Sequence, residues 1–403
     1  MKTKTQLNGR HWETGSIHNA LALQDIKAPH TGKPYSEALL LGVSGGIAFG
    51  YFTFEYKGYL PHVALLTRNT FSPFSTILER LGIAQDIQQT NKPEIAEKNL
   101  QNALESGLYP ILWADQFSLP YNCLPVDEPM WGMMPILALE TDGASVAIAD
   151  RSSQPFHLSM AELTKTRGRV KDDKYRLTTL DAPQTTKLAS AVHKGICQAI
   201  SLFTEEPPRG GRDNFGFAAY EKLAGLLVNT RNKQSWERFF APGIRMYHAL
   251  AGSPVQPGAY HWVNTWGAAD GAERGLYADF LLEAAAILKK LSLKEAAEKF
   301  RESHKLWLAF AEALLPDDVP LLGESKTLIQ KKHNLFIEKG EAALPEIQQV
   351  NSRLNEILSQ SETDFPLSNA QAADLRANLR DILVKISTVE RQAIDLLQNA
   401  ILQ

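Results

Sequence analysis

Hydrophobic patterning changes partway along this 403-residue chain and divides it into two parts. The first part alternates short apolar runs with turns and short helical stretches, which is typical of a mixed α/β domain. From about residue 184 onward, apolar residues recur at helical spacing. The sequence therefore predicts an α+β protein, with a mixed domain over residues 1–175 and a helical domain over residues 176–403.

Turn and cap residues mark the predicted elements of the first part. Gly82 and Gly107 are predicted helix C-caps, and Asp142-Gly143 is a hairpin signal. Strands are predicted at 61–69, 108–116, 133–140 and 144–151, and helices at 74–82, 94–107 and 160–168.

The second part is predicted to end in two long helices. Pro345 should kink or break the first, and Leu367-Ser368-Asn369 is a sensible start for the second. Their apolar stripes could pack within the chain or form a homodimer. The predicted helical patterns lie at 184–203, 214–228, 276–291, 293–315, 323–360 and 367–402.

Composition excludes several classes of function. The net charge of −3 argues against binding to nucleic acid or to a membrane surface. No secretion signal or long apolar run is seen, so we expect a cytoplasmic protein. The glycine-rich stretch 42–51 lacks the phosphate-loop spacings, and His11, His18 and His30 lack the spacing of a helical metal pair. We therefore expect no cofactor and no metal.

Several segments, taken in order, resemble the butirosin-biosynthesis protein H family. In the first part they are RHWETGSIHNAL, SEALLLGVSGGIAFGY (36–51) and the strand-turn-strand that ends at Asp150. In the second part they are NFGFAAYEKLA, WERFF (236–240), LYADFLLEAA and the pattern starting at Trp307. The resemblance implies a papain-like N-terminal domain, followed by that family's helical domain.

The resemblance also implies acyl transfer from a carrier-protein thioester to an amine. A thiol at a helix N-terminus and a facing histidine would form the reactive ion pair, and an acidic or amide group would orient the histidine. This chain has Trp12 at the nucleophile position and Gly132-Met133 at the histidine position; Asp150 alone matches the family pattern. Transfer through the ancestral thiol is therefore not expected.

Other nucleophiles receive less support. Cys123 has no base partner in sequence, and Cys197 falls on an apolar helix face, where it is expected to be a core residue. Ser16 should bond a backbone carbonyl, and Thr14 is a better helix cap than nucleophile.

The predicted site combines acid–base groups with residues that would contact substrate. His11, Glu13 and Asp150 are the catalytic candidates. Trp12 could stack on an aromatic or cationic substrate. An equally weighted alternative is that Trp12 and the two methionines fill a disused pocket and that Asp150 serves only a turn. The substrate-binding candidates are Trp12, Thr14, Met133, Met134, Tyr121, Tyr247 and His248.

Two functional hypotheses follow, besides that of a scaffold without ligand. The first is a biosynthetic enzyme that acts on a small or carrier-bound acyl substrate by non-covalent acid–base or substrate-orienting catalysis. The second is a catalytically silent relative that binds a pathway intermediate, carrier protein or partner enzyme. A basic cluster at Lys165, Arg167, Arg169 and Lys171 could contact an acidic carrier protein or simply be solvated.

Overall fold

The computed structural model describes residues 7–125 and 130–402. The chain divides into two compact units, each assembled from separate stretches of sequence. The first unit comprises Met1–Leu40, Phe74–Leu188 and Lys332–Gln349, and the second comprises Leu41–Pro73, Ala189–Lys331 and Val350–Gln403. The domain boundary after residue 175 remains a prediction.

The helices of the described residues lie mostly in the second half of the chain, and the α+β class is confirmed. They are α1 Trp12–Leu23, α2 Glu37–Val43, α3 Pro73–Leu81, α4 Pro93–Glu105, α5 Met160–Arg167, α6 Leu188–Thr204, α7 Gly216–Val228, α8 Trp236–Phe239, α9 Ile244–Ala251, α10 Ala259–Asn264, α11 Arg274–Leu288, α12 Leu293–Leu314, α13 Pro320–Lys339, α14 Leu344–Gln360 and α15 Asn369–Leu402. No helix of the described part is both long and apolar enough to cross a membrane.

The strands form two antiparallel sheets. They are β1 Ile47–Phe54, β2 His62–Arg68, β3 Gln85–Gln88, β4 Ile111–Asp115, β5 Met133–Thr141, β6 Ser145–Ala149, β7 Phe156–Ser159 and β8 Leu177–Leu180. In the first unit six strands pair in the order β3-β8-β4-β5-β6-β7, and in the second unit β1 pairs with β2.

The core of the first unit covers one face of the six-stranded sheet. Alternate residues of its strands point into this core, among them Leu112, Ile136 and Ile148. The aromatic rings of Tyr121 and Phe156 stack at 4.2 Å between centroids, and Phe336 packs on Phe156 at 5.1 Å. A segment distant in sequence therefore completes this core.

In the second unit, α15 packs along α12 and α7. Its inward face carries buried apolar residues such as Leu383 and Ile386. The apolar stripe of this helix thus has a partner within its own unit, and the homodimer through the C-terminal helices remains a prediction.

The predicted turns and caps are confirmed where their chemistry is local. Gly82 and Gly107 adopt φ angles of +62° and +75° after α3 and α4. Ser368 accepts a hydrogen bond from the backbone N–H of Gln371 and caps α15, which begins at the next residue. The helical pattern broken near Pro345 divides at a 3₁₀ turn, Gly340–Ala343, just before that proline.

Candidate functional site

A carboxylate from α2, that of Glu37, accepts hydrogen bonds at the N-terminus of α1. His11 is the N-cap, and its Nδ1 accepts a hydrogen bond from the Glu13 backbone N–H at 3.3 Å. Glu37 accepts the backbone N–H groups of Arg10 and His11 at 2.7 and 3.0 Å, and the Thr14 hydroxyl at 2.7 Å. A carboxylate here satisfies free donors and complements the positive end of the helix. Thr14 is thus bonded to the group that caps the helix.

Trp12 is the first residue of α1 and only 4% exposed. The guanidinium carbon of Arg151 lies 4.2 Å from the centre of the Trp12 ring and 4.7 Å from that of Phe336. A guanidinium over an aromatic face is attracted by the ring quadrupole. The cation that stacks on Trp12 therefore comes from the chain itself.

Asp150 binds the same guanidinium. Its carboxylate oxygens accept hydrogen bonds from Arg151 Nε and Nη2 at 2.7 and 3.0 Å. The Tyr121 hydroxyl donates to Asp150 Oδ2 at 3.1 Å, and Arg151 Nη2 also donates to Asn122 at 3.0 Å. Burial and the charge of Asp150 raise the pKa of Tyr121 well above its ordinary value, so this phenol keeps its proton.

The topology explains why these groups meet. Ser16 donates to the Pro135 carbonyl at 3.1 Å and fixes α1 against β5. Strand β5 pairs with β6, and Asp150 follows β6 directly. Met133 and Met134 are half-buried at the start of β5. The resemblance implies a nucleophile at position 12 and a base at position 133, but these positions hold Trp12 and Met133. At the position that it implies for the orienting acid, Asp150 is paired with Arg151.

Tyr247 and His248 belong to the second unit and are buried on α9. The Tyr247 hydroxyl shares a hydrogen bond with Ser325 at 2.9 Å, and His248 Nδ1 contacts the Pro61 carbonyl at 3.0 Å. Burial lowers the pKa of His248, which favours neutral imidazole. Their predicted role in substrate binding remains a prediction.

Cys123 follows the 3₁₀ turn that carries Tyr121, and it packs against the small apolar cluster of Leu335, Ala343 and Ile347. Burial raises the pKa of its thiol despite the nearby charge of Lys332. The pKa of Lys332 is lowered to about 8, chiefly by burial. Since the thiolate is the nucleophile, a raised pKa leaves Cys123 poorly activated.

Cys197 is half-buried on α6 in the second unit. Its Sγ lies 3.7 Å from Nδ1 of His193, one helical turn earlier, and that histidine is exposed. The prediction that Cys197 is a core residue is therefore too strong, because its helix face is only partly covered.

The basic cluster is smaller than predicted. Arg167 is buried and donates to the Tyr175 carbonyl at 3.0 Å, and burial lowers its pKa to about 10. Arg169 Nε lies 3.7 Å from the buried carboxylate of Asp115.

Within residues 7–125 and 130–402, no group of three or more His, Cys, Asp or Glu side chains could hold a metal ion.

Sequence reasoning missed Arg151, Glu37 and Phe336, three of the residues that shape this site. Arg151 stands directly after Asp150, and that adjacency was a usable signal for a carboxylate-bound cation. Glu37 and Phe336 are distant in sequence from the residues they contact, and neither pattern nor spacing indicates those contacts.

Comparison with known proteins finds one family match, in the first part of the chain. Residues 11–151 match the family model described as butirosin biosynthesis protein H, N-terminal. A search of curated proteins finds no match. The segment from residue 11 to residue 151 is therefore similar to the N-terminal domain of butirosin biosynthesis protein H.

Proposed function

We propose that this chain serves a biosynthetic pathway by binding an acyl substrate, free or carried by a carrier protein, without forming an acyl-enzyme. The family match indicates a biosynthesis-related protein. The resemblance to papain-like acyltransferases suggests the acyl class of substrate. The substitutions at the nucleophile and base positions suggest that the ancestral covalent step has been lost.

One observation carries the proposal: the guanidinium of Arg151 is held between the rings of Trp12 and Phe336 and by the carboxylate of Asp150. In a thiol acyltransferase, the resemblance implies, the positions of Trp12 and Met133 would instead carry the thiol and the imidazole of a thiolate–imidazolium pair. An arginine remains protonated at all working pH values and cannot act as a general base.

The remaining groups also favour binding over covalent chemistry. Both carboxylate oxygens of Asp150 already accept hydrogen bonds from Arg151. The raised pKa of Cys123 opposes its use as a substitute nucleophile. Met133 and Met134 keep part of their apolar surface exposed at the start of β5 and are the residues we assign to acyl-group contact.

A second candidate is non-covalent acid–base catalysis by His11 and Glu13. Glu13 is half-buried beside Trp12, and His11 keeps its Nδ1 on a backbone N–H, which favours the neutral tautomer with its proton on Nε2. Such a group could donate to a substrate oxygen. If this route operates, His11→Gln should lower turnover without lowering binding.

The experiment uses butyryl-S-pantetheine, with glycine amide as the amine acceptor. Isothermal titration measures binding, and release of free thiol measures turnover. We expect saturable binding and no thiol release above the buffer rate. Catalysed release that His11→Gln abolishes would instead support the second candidate, and absence of any binding would overturn both.

Matched variants locate the site. Replacing Met133 and Met134 together by serine should weaken binding about thirtyfold, since each substitution removes apolar contact worth about 1 kcal/mol when half-buried. Leu108→Ser changes a partly exposed leucine elsewhere in the first unit and should leave affinity unchanged. Equal affinity in all three proteins would contradict the assignment of the methionines.

A further inference from the structure

The second unit contains a cavity of about 160 Å³ at the junction of β1, α7 and the turn before α8. Its polar lining consists of Tyr51, Thr53, Asn214, Lys222 and Gln234. All belong to the second unit, so the cavity is separate from the site around Trp12. Among the described residues that line it, none is an aspartate or a glutamate.

Lys222 supplies a positive charge to this cavity. Its side chain is half-buried on α7, and Nζ donates to Asn214 Oδ1 at 2.6 Å. An ammonium group has three donors, and within the described part of the chain no carboxylate pairs with this one. A half-buried cation bonded to a neutral amide is a favourable position for an anion.

Tyr51 offers a second donor. Its side chain is 1% exposed, and its oxygen accepts the indole N–H of Trp236 at 3.1 Å. Burial raises the pKa of Tyr51, so the phenol keeps its proton. No residue in the described ranges accepts that proton, although buried donors in proteins are nearly always bonded. Because Tyr51 lines the cavity, a ligand oxygen bound there could accept that proton.

The rest of the lining limits the size and character of the ligand. Phe52 and Leu226 are the apolar residues among those that line the cavity. A cavity of about 150 Å³ accepts a ring the size of benzene. An inorganic anion would leave the apolar surface uncovered, whereas a small organic acid would contact both parts of the lining.

We propose that this cavity binds a small monocarboxylate, with its carboxylate on Lys222 and Tyr51 and its apolar part against Phe52 and Leu226. The ligand class follows from an excess of donors, a cation without a carboxylate partner, and an apolar wall. The proposal does not depend on the function proposed for the first unit, because every residue it uses lies in the second.

The test is isothermal titration of the full chain with benzoate, and with benzamide as the uncharged analogue. We expect one saturable benzoate site per chain and binding of benzamide at least about tenfold weaker, since a charge-assisted hydrogen bond is lost. Equal affinities for the two compounds, or no saturable benzoate binding, would overturn the proposal.

Variants assign the contacts. Lys222→Met should weaken benzoate binding at least about tenfold, and Tyr51→Phe should weaken it severalfold. Lys294→Met removes an exposed lysine on α12 and should change nothing. Thermal unfolding checks that each variant is folded. If Lys222→Met does not fold, the benzoate–benzamide comparison on the native chain still decides the question, and undiminished binding by a folded Lys222→Met would contradict it.

Discussion

Arg151 connects several groups of the first unit that no sequence motif brings together. It contacts the rings of Trp12 and Phe336 and the carboxylate of Asp150. Its backbone φ of +55° is in the left-handed region, where a side chain other than glycine is strained. The contacts of its guanidinium offset that strain and explain why an arginine is held there.

The first prediction concerns Asp150. Asp150→Asn should lower the free energy of unfolding by roughly 2–4 kcal/mol, because Arg151, whose side chain is 19% exposed, loses its counter-charge. Chemical denaturation of variant and native chain measures the change.

Glu341→Gln is the matched control. The ion pair between Glu341 and His157 is exposed on both sides, so its loss should cost less than about 1 kcal/mol. Similar small costs for both variants would show that Asp150 is not a structural partner of Arg151.

The second prediction concerns pH and His333. Burial, with smaller contributions from Arg151 and Arg10, lowers the pKa of His333 to about 4. The unfolded chain takes up this proton near pH 6.5, before the folded chain does, so stability falls as the pH drops from about 6.5 toward 4.

Unfolding free energies at pH 7 and pH 4.5 measure this effect. Between these two pH values the native chain should lose about 1–2 kcal/mol more than His333→Gln does. His193→Gln removes an exposed histidine and should behave like the native chain. An identical pH dependence of the native chain and His333→Gln would contradict the prediction.

At the scale of elements, strands with apolar runs could be predicted and short polar ones could not. Strands β2, β4 and β6 fall within their predicted ranges, and β5 extends one residue beyond its predicted end. Strand β3, Gln85–Gln88, has three polar residues and lacks an apolar run that would predict it. It pairs antiparallel with β8. Strand β1 begins after Gly45 and Gly46, whose positive φ angles form a tight turn, and the sequence pattern did not predict this strand.

The third prediction concerns how α15 is held. Arg274 donates to Glu390 through Nε and Nη2 at 2.8 and 3.2 Å, and Ser303 and Trp307 also donate to that carboxylate. Burial alone would raise the pKa of Glu390, but Arg274 and these hydrogen bonds lower it below its ordinary value. Glu390→Gln should cost about 3–5 kcal/mol, because a buried guanidinium loses its counter-charge.

Glu221→Gln provides the control for α15. Glu221 pairs with Arg391, the residue next to Glu390, on the exposed surface at 2.7 Å. Its loss should cost less than about 1 kcal/mol. Thermal and denaturant unfolding should separate the two variants clearly, and a small effect of Glu390→Gln would show that packing alone holds the helix.

At the scale of the whole molecule, the order of elements along the chain does not indicate which segments form each unit. The first unit includes Lys332–Gln349, a stretch far beyond the boundary at residue 175 that patterning predicts. Patterning detects helices and strands, but it does not indicate which distant helix completes a core. For the same reason the sequence indicated Trp12 and Asp150 as site residues but not Phe336.

The fourth prediction follows from that composition. A fragment of residues 1–175 lacks β8 and the stretch carrying Phe336, and it would expose the stacked rings of Tyr121 and Phe156. We expect no cooperative thermal transition from this fragment, in contrast to the full chain. A sharp transition by circular dichroism would show that the linear boundary is sufficient.

The fifth prediction concerns the absence of an acyl-enzyme, and intact-protein mass spectrometry tests it most directly. The full chain is incubated with butyryl-S-pantetheine and quenched in acid, and its intact mass is measured. The variants Cys123→Ala and Cys197→Ala are treated in the same way to locate any modified thiol. The arginine held between Trp12 and Asp150 predicts an unmodified mass at every time point. Addition of one butyryl group per chain, absent from one of the cysteine variants, would contradict this prediction and would show that the protein forms an acyl-enzyme through that thiol.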